Sequence, residues 1–167
     1  ISLMPTNLYG PRDNYHPNDS HVMASLIRKF HNAKINHLNN VTCWGTGKPL
    51  REFLYVEDFA EACLFLLKKW DSKLDYLPKD INGNKLNWIN VGSDFEISIR
   101  DLAEKISKIV GFSGEIIWDK TKPDGTPRKK LDNSCIKKIG WKPTTDLDVG
   151  IRKTIKTFVD EQKNKFI

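Results

Sequence analysis

Long apolar runs are missing from this chain. None approaches the roughly 20 residues that a membrane-spanning helix needs, and no leader pattern of basic, apolar and small segments opens it. Cysteine is scarce, with three residues at positions 43, 63 and 135. An odd number without repeated spacing supplies neither a disulfide framework nor a zinc pattern, and it suits a reducing, cytoplasmic setting. The four histidines, at 16, 21, 31 and 37, show no ligand spacing with carboxylates. Repeats and low-complexity segments are absent. The net charge is +6, but the lysines are scattered along predicted helices. No basic stripe is interleaved with aromatics, so nucleic acid is not an expected partner, and neither is a membrane.

What is present describes a globular domain. The 167 residues, 39% hydrophobic and 29% charged, suffice for one sizeable core. A short apolar strand at 1–4 enters a Pro-, Asn- and Asp-rich loop over 5–19. Ser20 then reads as the cap of a helix over about 21–34, with Val22, Met23, Leu26, Ile27 and Phe30 on one face. Strands are expected at 39–44 and 51–56, joined by the tight turn Gly45-Thr46-Gly47. An apolar-rich helix follows over 57–70, then a polar surface loop over 71–87. A buried strand at 88–91 precedes a helix at 99–110, whose start is marked by Ser98 with Asp101 and whose end is marked by Gly111. A strand at 115–118, a short helix at 133–139 and a last helix from Asp146 complete the series, with a tail over 160–167. Strands alternating with helices predict the α/β class.

Three segments carry chemistry. Lys122-Pro123-Asp124-Gly125-Thr126-Pro127-Arg128-Lys129-Lys130 reads as a stiff loop, because proline fixes φ and removes a donor. It presents one carboxylate beside a cationic cluster, a pairing that suits a nucleoside diphosphate as well as an ordinary solvated turn. The second segment is Met4-Pro5-Thr6-Asn7-Leu8-Tyr9-Gly10-Pro11, followed by Asn18-Asp19-Ser20-His21-Val22. The third runs from Trp44 through Gly45-Thr46-Gly47 and Arg51-Glu52-Phe53-Leu54-Tyr55-Val56 to Asp58.

In this order the three segments resemble the C-terminal half of the GDP-L-fucose synthase family, epimerase-reductases of the extended short-chain dehydrogenase/reductase superfamily. The resemblance covers residues 1–159. It implies a C-terminal substrate-binding domain plus remnant strands and a helix of a Rossmann-type sheet, with 1–4, 57–70 and 88–91 as the remnants. It also implies a GDP-sugar substrate, NADP(H) as cofactor and a homodimer for the full-length enzyme. The family's glycine-rich pyrophosphate loop and Tyr-x-x-x-Lys pair do not occur here. Gly45-Thr46-Gly47 lacks a third glycine and the βαβ context, and Tyr9, Tyr15, Tyr55 and Tyr76 lead four residues on to Asp13, Asp19, Phe59 and Asp80. The sequence also opens without an initiator Met. The expectation is a piece lacking roughly the first half of the enzyme, and inactive alone.

Roles carried over from the family fall on particular positions. His21 matches the acid that returns a proton during epimerisation at C3 and C5 of a 4-keto sugar. Pro5, Thr6, Asn7 and Leu8, with His21, match the loop that runs past the nicotinamide and sugar. Lys29, about two turns beyond His21 on the same side, matches a nucleotide contact, with Arg28 as its solvated neighbour. Trp44 stacks on guanine or packs in the core. Arg51 forks onto a phosphate or pairs with Glu52 or Asp58. Asp124 accepts from ribose hydroxyls or guanine amines, and Arg128 and Lys129 are weaker phosphate candidates. Two alternatives stay open: another nucleotide-sugar epimerase or dehydratase, and a non-catalytic nucleotide-sugar-binding module.

Overall fold

The computed structural model describes residues 1–71, 73, 75 and 77–164. In chain order the elements are β1 (Ser2–Pro5), β2 (Asn7–Tyr9), α1 (Val22–Ile35), β3 (Asn40–Trp44), β4 (Leu50–Tyr55), α2 (Val56–Lys69), β5 (Trp88–Val91), β6 (Glu96–Ser98), α3 (Ile99–Val110), β7 (Glu115–Asp119), β8 (Arg128–Lys129), α4 (Ser134–Ile139) and α5 (Leu147–Asn164). β1 pairs in parallel with β5, and β3 with β7. β4 is the hub of the sheet that positions the site. It takes β2 in parallel, with Asn7 opposite Phe53, β6 antiparallel, with Leu50 opposite Ser98, and β8 in parallel, with Leu50 opposite Arg128. Helices alternating with mostly parallel strands make this an α/β fold, as the sequence pattern predicts.

The apolar side chains sort into two cores. The larger joins α1, α3 and α5 across β3 and β4, around Phe30, Val41, Phe53, Ile106, Ile151 and Phe158. The second gathers Leu54, Ala62, Leu66, Ile89, Val91 and Ile136, from β4, α2, β5 and α4. Met4 (51% exposed), Leu64 (60%) and Leu67 (77%), on β1 and α2, stay open to solvent. Leu77 also reaches the second core and is buried, so the polar stretch at 71–87 is anchored at that point. Positions 72, 74 and 76 of that stretch lie outside the described residues.

Local chemistry explains most boundaries. α3 begins and ends where expected: the Ser98 hydroxyl accepts from the Asp101 amide at 3.0 Å, and the helix closes at Gly111. α1 corrects the assignment of Ser20 as its cap. His21 holds the extended cap conformation (φ −67°, ψ 162°) without a side-chain hydrogen bond, and its carbonyl takes the first helical bond, from Ser25 N at 2.9 Å. The Ser20 hydroxyl is buried without a partner among the described residues. α5 continues through residues 160–164, where a tail was expected; 165–167 lie outside the described residues. β2, β6 and β8 escape the sequence reading because two or three residues carry no periodic signal. β8 corrects the view of 122–130 as loop throughout, since Arg128 and Lys129 lie along β4.

Candidate functional site: a cationic cleft at the end of β3

Trp44 ends β3, and the chain turns through Gly45-Thr46-Gly47. Both glycines are left-handed (φ +75° and +76°), a conformation they adopt without steric cost. A Cβ on Gly45 would fall on Asp124 Oδ1, and one on Gly47 would strike the Trp118 ring. The turn is clasped to the loop between β7 and β8. Thr46 N donates to Asp124 Oδ1 at 2.8 Å and Thr46 Oγ1 to Asp124 Oδ2 at 2.6 Å. The hydroxyl bond first, then the amide bond, hold the Asp124 carboxyl below its ordinary value, because bonds donated to the charged form favour it. A second clasp comes from β4: Arg51 Nη1 donates to the Thr126 carbonyl at 2.6 Å and to the Leu50 carbonyl at 2.7 Å.

These clasps frame a cleft. Trp44 is 67% exposed, which excludes the core-packing alternative. Lys29 Nζ lies 5.8 Å and Lys122 Nζ 5.7 Å from its ring centroid, within cation–π range. Lys29 is steadied by a 2.9 Å bond to the Thr42 carbonyl. Two adjoining hollows share Val22, Trp44 and Ile99: one of about 190 Å³ reaches Arg51 and Asp124, and one of about 280 Å³ reaches Lys29 and Ser20. Arg51 and Asp124, far apart in sequence, thus share one hollow, Lys29 lines the other, and Trp44 lines both. His21 is exposed between Ser20 and Val22, which line the hollow.

Other expected residues lie elsewhere or are already engaged. Pro5 to Leu8 line neither hollow. The Thr6 hydroxyl and the Asn7 amide donate to the Glu52 carbonyl at 3.1 and 2.7 Å, and Thr6 N donates to Val91 O at 3.0 Å. Arg51 pairs with neither Glu52 nor Asp58. Both carboxylates are buried; Asp58 accepts from Thr144 Oγ1, Thr145 N and Thr145 Oγ1. Arg28 is not a free solvated cation, since its Nη2 reaches Pro17 O at 3.3 Å. Arg128 is held by Glu96 through bonds of 2.8 and 2.6 Å, which removes it as an uncommitted phosphate ligand. A larger hollow of about 530 Å³, lined by Tyr55, Phe95, Lys105 and Asp148 among others, holds none of the expected residues.

The sequence pattern of the NAD-dependent epimerase/dehydratase family matches residues 1–82. A probable GDP-L-fucose synthase 1 from Oryza sativa subsp. japonica is 48% identical over 160 residues, 96% of this chain and 45% of that protein. The chain thus resembles the NAD-dependent epimerase/dehydratase family over residues 1–82 and GDP-L-fucose synthases over nearly its whole length. The GDP-L-fucose synthase of Escherichia coli K12 is 41% identical over 165 residues, 96% of this chain and 49% of that protein. Among solved structures, a GDP-L-fucose synthetase from Naegleria fowleri bound to NADP superposes with a TM-score of 0.82 at 27% identity, covering 98% of this chain and 47% of that one. The chain therefore spans about half the length of the relatives it matches. Two residues that shape the cleft, Thr46 and the buried Glu52, carry no signal of that role in the sequence. Thr46 between two glycines was readable as a turn but not as the partner of Asp124, 78 positions away.

Proposed function

We propose that this chain is the GDP-sugar-binding portion of a GDP-L-fucose synthase, an enzyme that epimerises C3 and C5 of a GDP-linked 4-keto-6-deoxymannose and reduces C4 with NADPH. One observation carries the reading: Lys29 on one side, and Arg51 with the Asp124 loop on the other, line two adjoining hollows that share Trp44. An exposed indole offers a face for a base, and stacking of this kind contributes roughly 1–3 kcal/mol per base in single-stranded nucleic-acid complexes. Arg51 Nε and Nη2 have no hydrogen-bond partner among the described residues, which leaves two donors for a phosphate oxygen pair. Lys29 and Lys122 add positive charge beside the ring. His21, exposed at the start of α1, is the acid assigned to epimerisation. The relatives' names support the guanine nucleotide and the sugar.

The dinucleotide is a different matter. The Gly-Thr-Gly turn closes on the side chains of Asp124 and Trp118 instead of opening a helix N-terminus, the arrangement a pyrophosphate needs. The Asn7 amide is bonded to Glu52 O. These residues do not build an NADP(H) site alone; its pyrophosphate would be held by residues outside this chain, with Pro5 to Leu8 at its edge.

Calorimetric titration of the chain with GDP and with guanosine tests the reading. GDP should bind well and guanosine distinctly less, because the cations read the phosphates. Equal affinities, or no GDP binding by a folded chain, would remove it. Incubated with NADPH and the 4-keto sugar, the chain should leave the nicotinamide absorbance unchanged.

A further inference from the structure

β4 alternates its side chains between two jobs. Arg51 faces the cleft, and Glu52, one residue on, points into the protein, where it is fully buried. A buried carboxylate is costly unless bonded. Glu52 forms no ion pair among the described residues; its carboxylate accepts three hydrogen bonds instead. Oε1 takes the Asp94 amide at 2.7 Å and Asn133 Nδ2 at 3.0 Å. Oε2 takes the Leu131 amide at 3.1 Å. Its carbonyl meanwhile receives Thr6 Oγ1 and Asn7 Nδ2. Asp94, at φ +64°, is one of few non-glycine residues with positive φ; its amide is held by Glu52 and its carboxylate by Asn133 and Lys137. Gly92 passes so close that a Cβ there would strike Glu52 Oε1.

We infer that Glu52 is the positioning residue that sets the nucleotide loop against β4. Arg51 holds that loop at Thr126 and Glu52 holds its continuation at Leu131 and Asn133, so two adjacent residues fix both ends of β8. Through its carbonyl the same residue ties in the Thr6-Asn7 loop. Glu52 touches no ligand in this scheme; it acts through the place it gives Asp124 and Arg51. The inference rests on the nucleotide reading above.

Glu52→Gln keeps the shape of the side chain but turns one acceptor into a donor, facing either the Leu131 N–H or the Asp94 N–H with Asn133 Nδ2. In the variant, GDP affinity should fall on the order of tenfold, within the span usual for coupled positions. Amide exchange at Leu131 and Asp94 should quicken, and the amide resonances of Thr46 and Gly125 should shift in the ligand-free chain. Leu66→Ala, in the second core, serves as a control for stability loss alone and should leave those resonances and GDP affinity in place. If Glu52→Gln fails to fold, Asn133→Ala removes one of the three donors and should shift the same resonances less. A folded Glu52→Gln that binds GDP like the wild type, with Thr46 and Gly125 unmoved, overturns the inference; so does an inert Asn133→Ala where Glu52→Gln cannot be studied. Failure of the wild-type chain to bind GDP overturns the nucleotide reading instead. The exchange and resonance data would then still report whether Glu52 orders the loop.

Discussion

Arg51 and Asp124 line the same hollow, and their substitutions should separate by ligand. Loss of the Arg51 guanidinium removes the donors proposed for phosphate, so Arg51→Ala should weaken GDP about ten- to a hundredfold, the range of a hydrogen bond to a charged group, and guanosine far less. Arg51→Lys keeps the charge without the fork and should recover only part. Asp124→Ala should weaken both ligands alike. The two Asp124 oxygens are bonded to Thr46, which gives this residue an indirect route that the sequence did not reveal. Thr46→Val separates the routes: a loss matching that of Asp124→Ala means that Asp124 works by holding the turn, and an unchanged affinity means that it meets the nucleoside directly. His21 belongs to the full-length enzyme. There His21→Asn should slow solvent deuterium incorporation at C3 and C5 by on the order of 10² to 10⁴ while GDP binding persists; wild-type exchange would leave His21 as a helix-start residue only.

Helices and strands differ in how much of them the sequence exposes. α3 was legible at both ends because its signals are local: Ser98 three residues before Asp101, an apolar stripe through Leu102, Ala103 and Ile106, and Gly111 at the close. Ser98→Ala should therefore cost about 1 kcal/mol, the usual value of a cap hydroxyl, read as a lowered midpoint in thermal unfolding. β5 was legible because the apolar Ile89 and Val91 alternate with Trp88 and Asn90 between Asn87 and Gly92; only Ile89 and Val91 are buried, and Trp88 is 38% exposed where a buried strand was expected. β2, β6 and β8 were not, because each exists through its partner β4 and not through a pattern of its own. The site follows the same division. Trp44, Arg51 and Asp124 were recognisable one by one, but the Asp124–Thr46 and Arg51–Thr126 clasps are long-range bonds that no local spacing encodes. Glu52 was read only as a possible partner for Arg51; along a strand, adjacent side chains point to opposite faces, and that places it in the interior.

At the scale of the molecule, two cores meet along β4, and the exposed Met4, Leu64 and Leu67 lie on the side of the smaller one. Titratable groups set the pH limits. Burial first, then nearby carboxylates, push the hydroxyls of Tyr9 and Tyr15 above the ordinary tyrosine value. The folded state thus prefers neutral tyrosines, so this contribution is complete below the unfolded value near 10 and is lost as pH rises past it. Asp124, Asp119 and Glu96 are held below their ordinary values, each chiefly by a side-chain hydrogen bond. Their contribution is present above the unfolded carboxylate range and fades as pH falls through the lowered values. Unfolding midpoints measured across pH should decline at both ends, and Tyr15→Phe should blunt the alkaline decline.

The most direct test of the nucleotide cleft is an NMR titration of the ¹⁵N-labelled chain with GDP. The largest shifts should fall on the Trp44 indole N–H, the Arg51 side chain and the amides of Thr46 and Gly125. Shifts centred instead on the Tyr55, Phe95 and Asp148 hollow, or none at saturating GDP with the chain folded, would contradict the nucleotide reading.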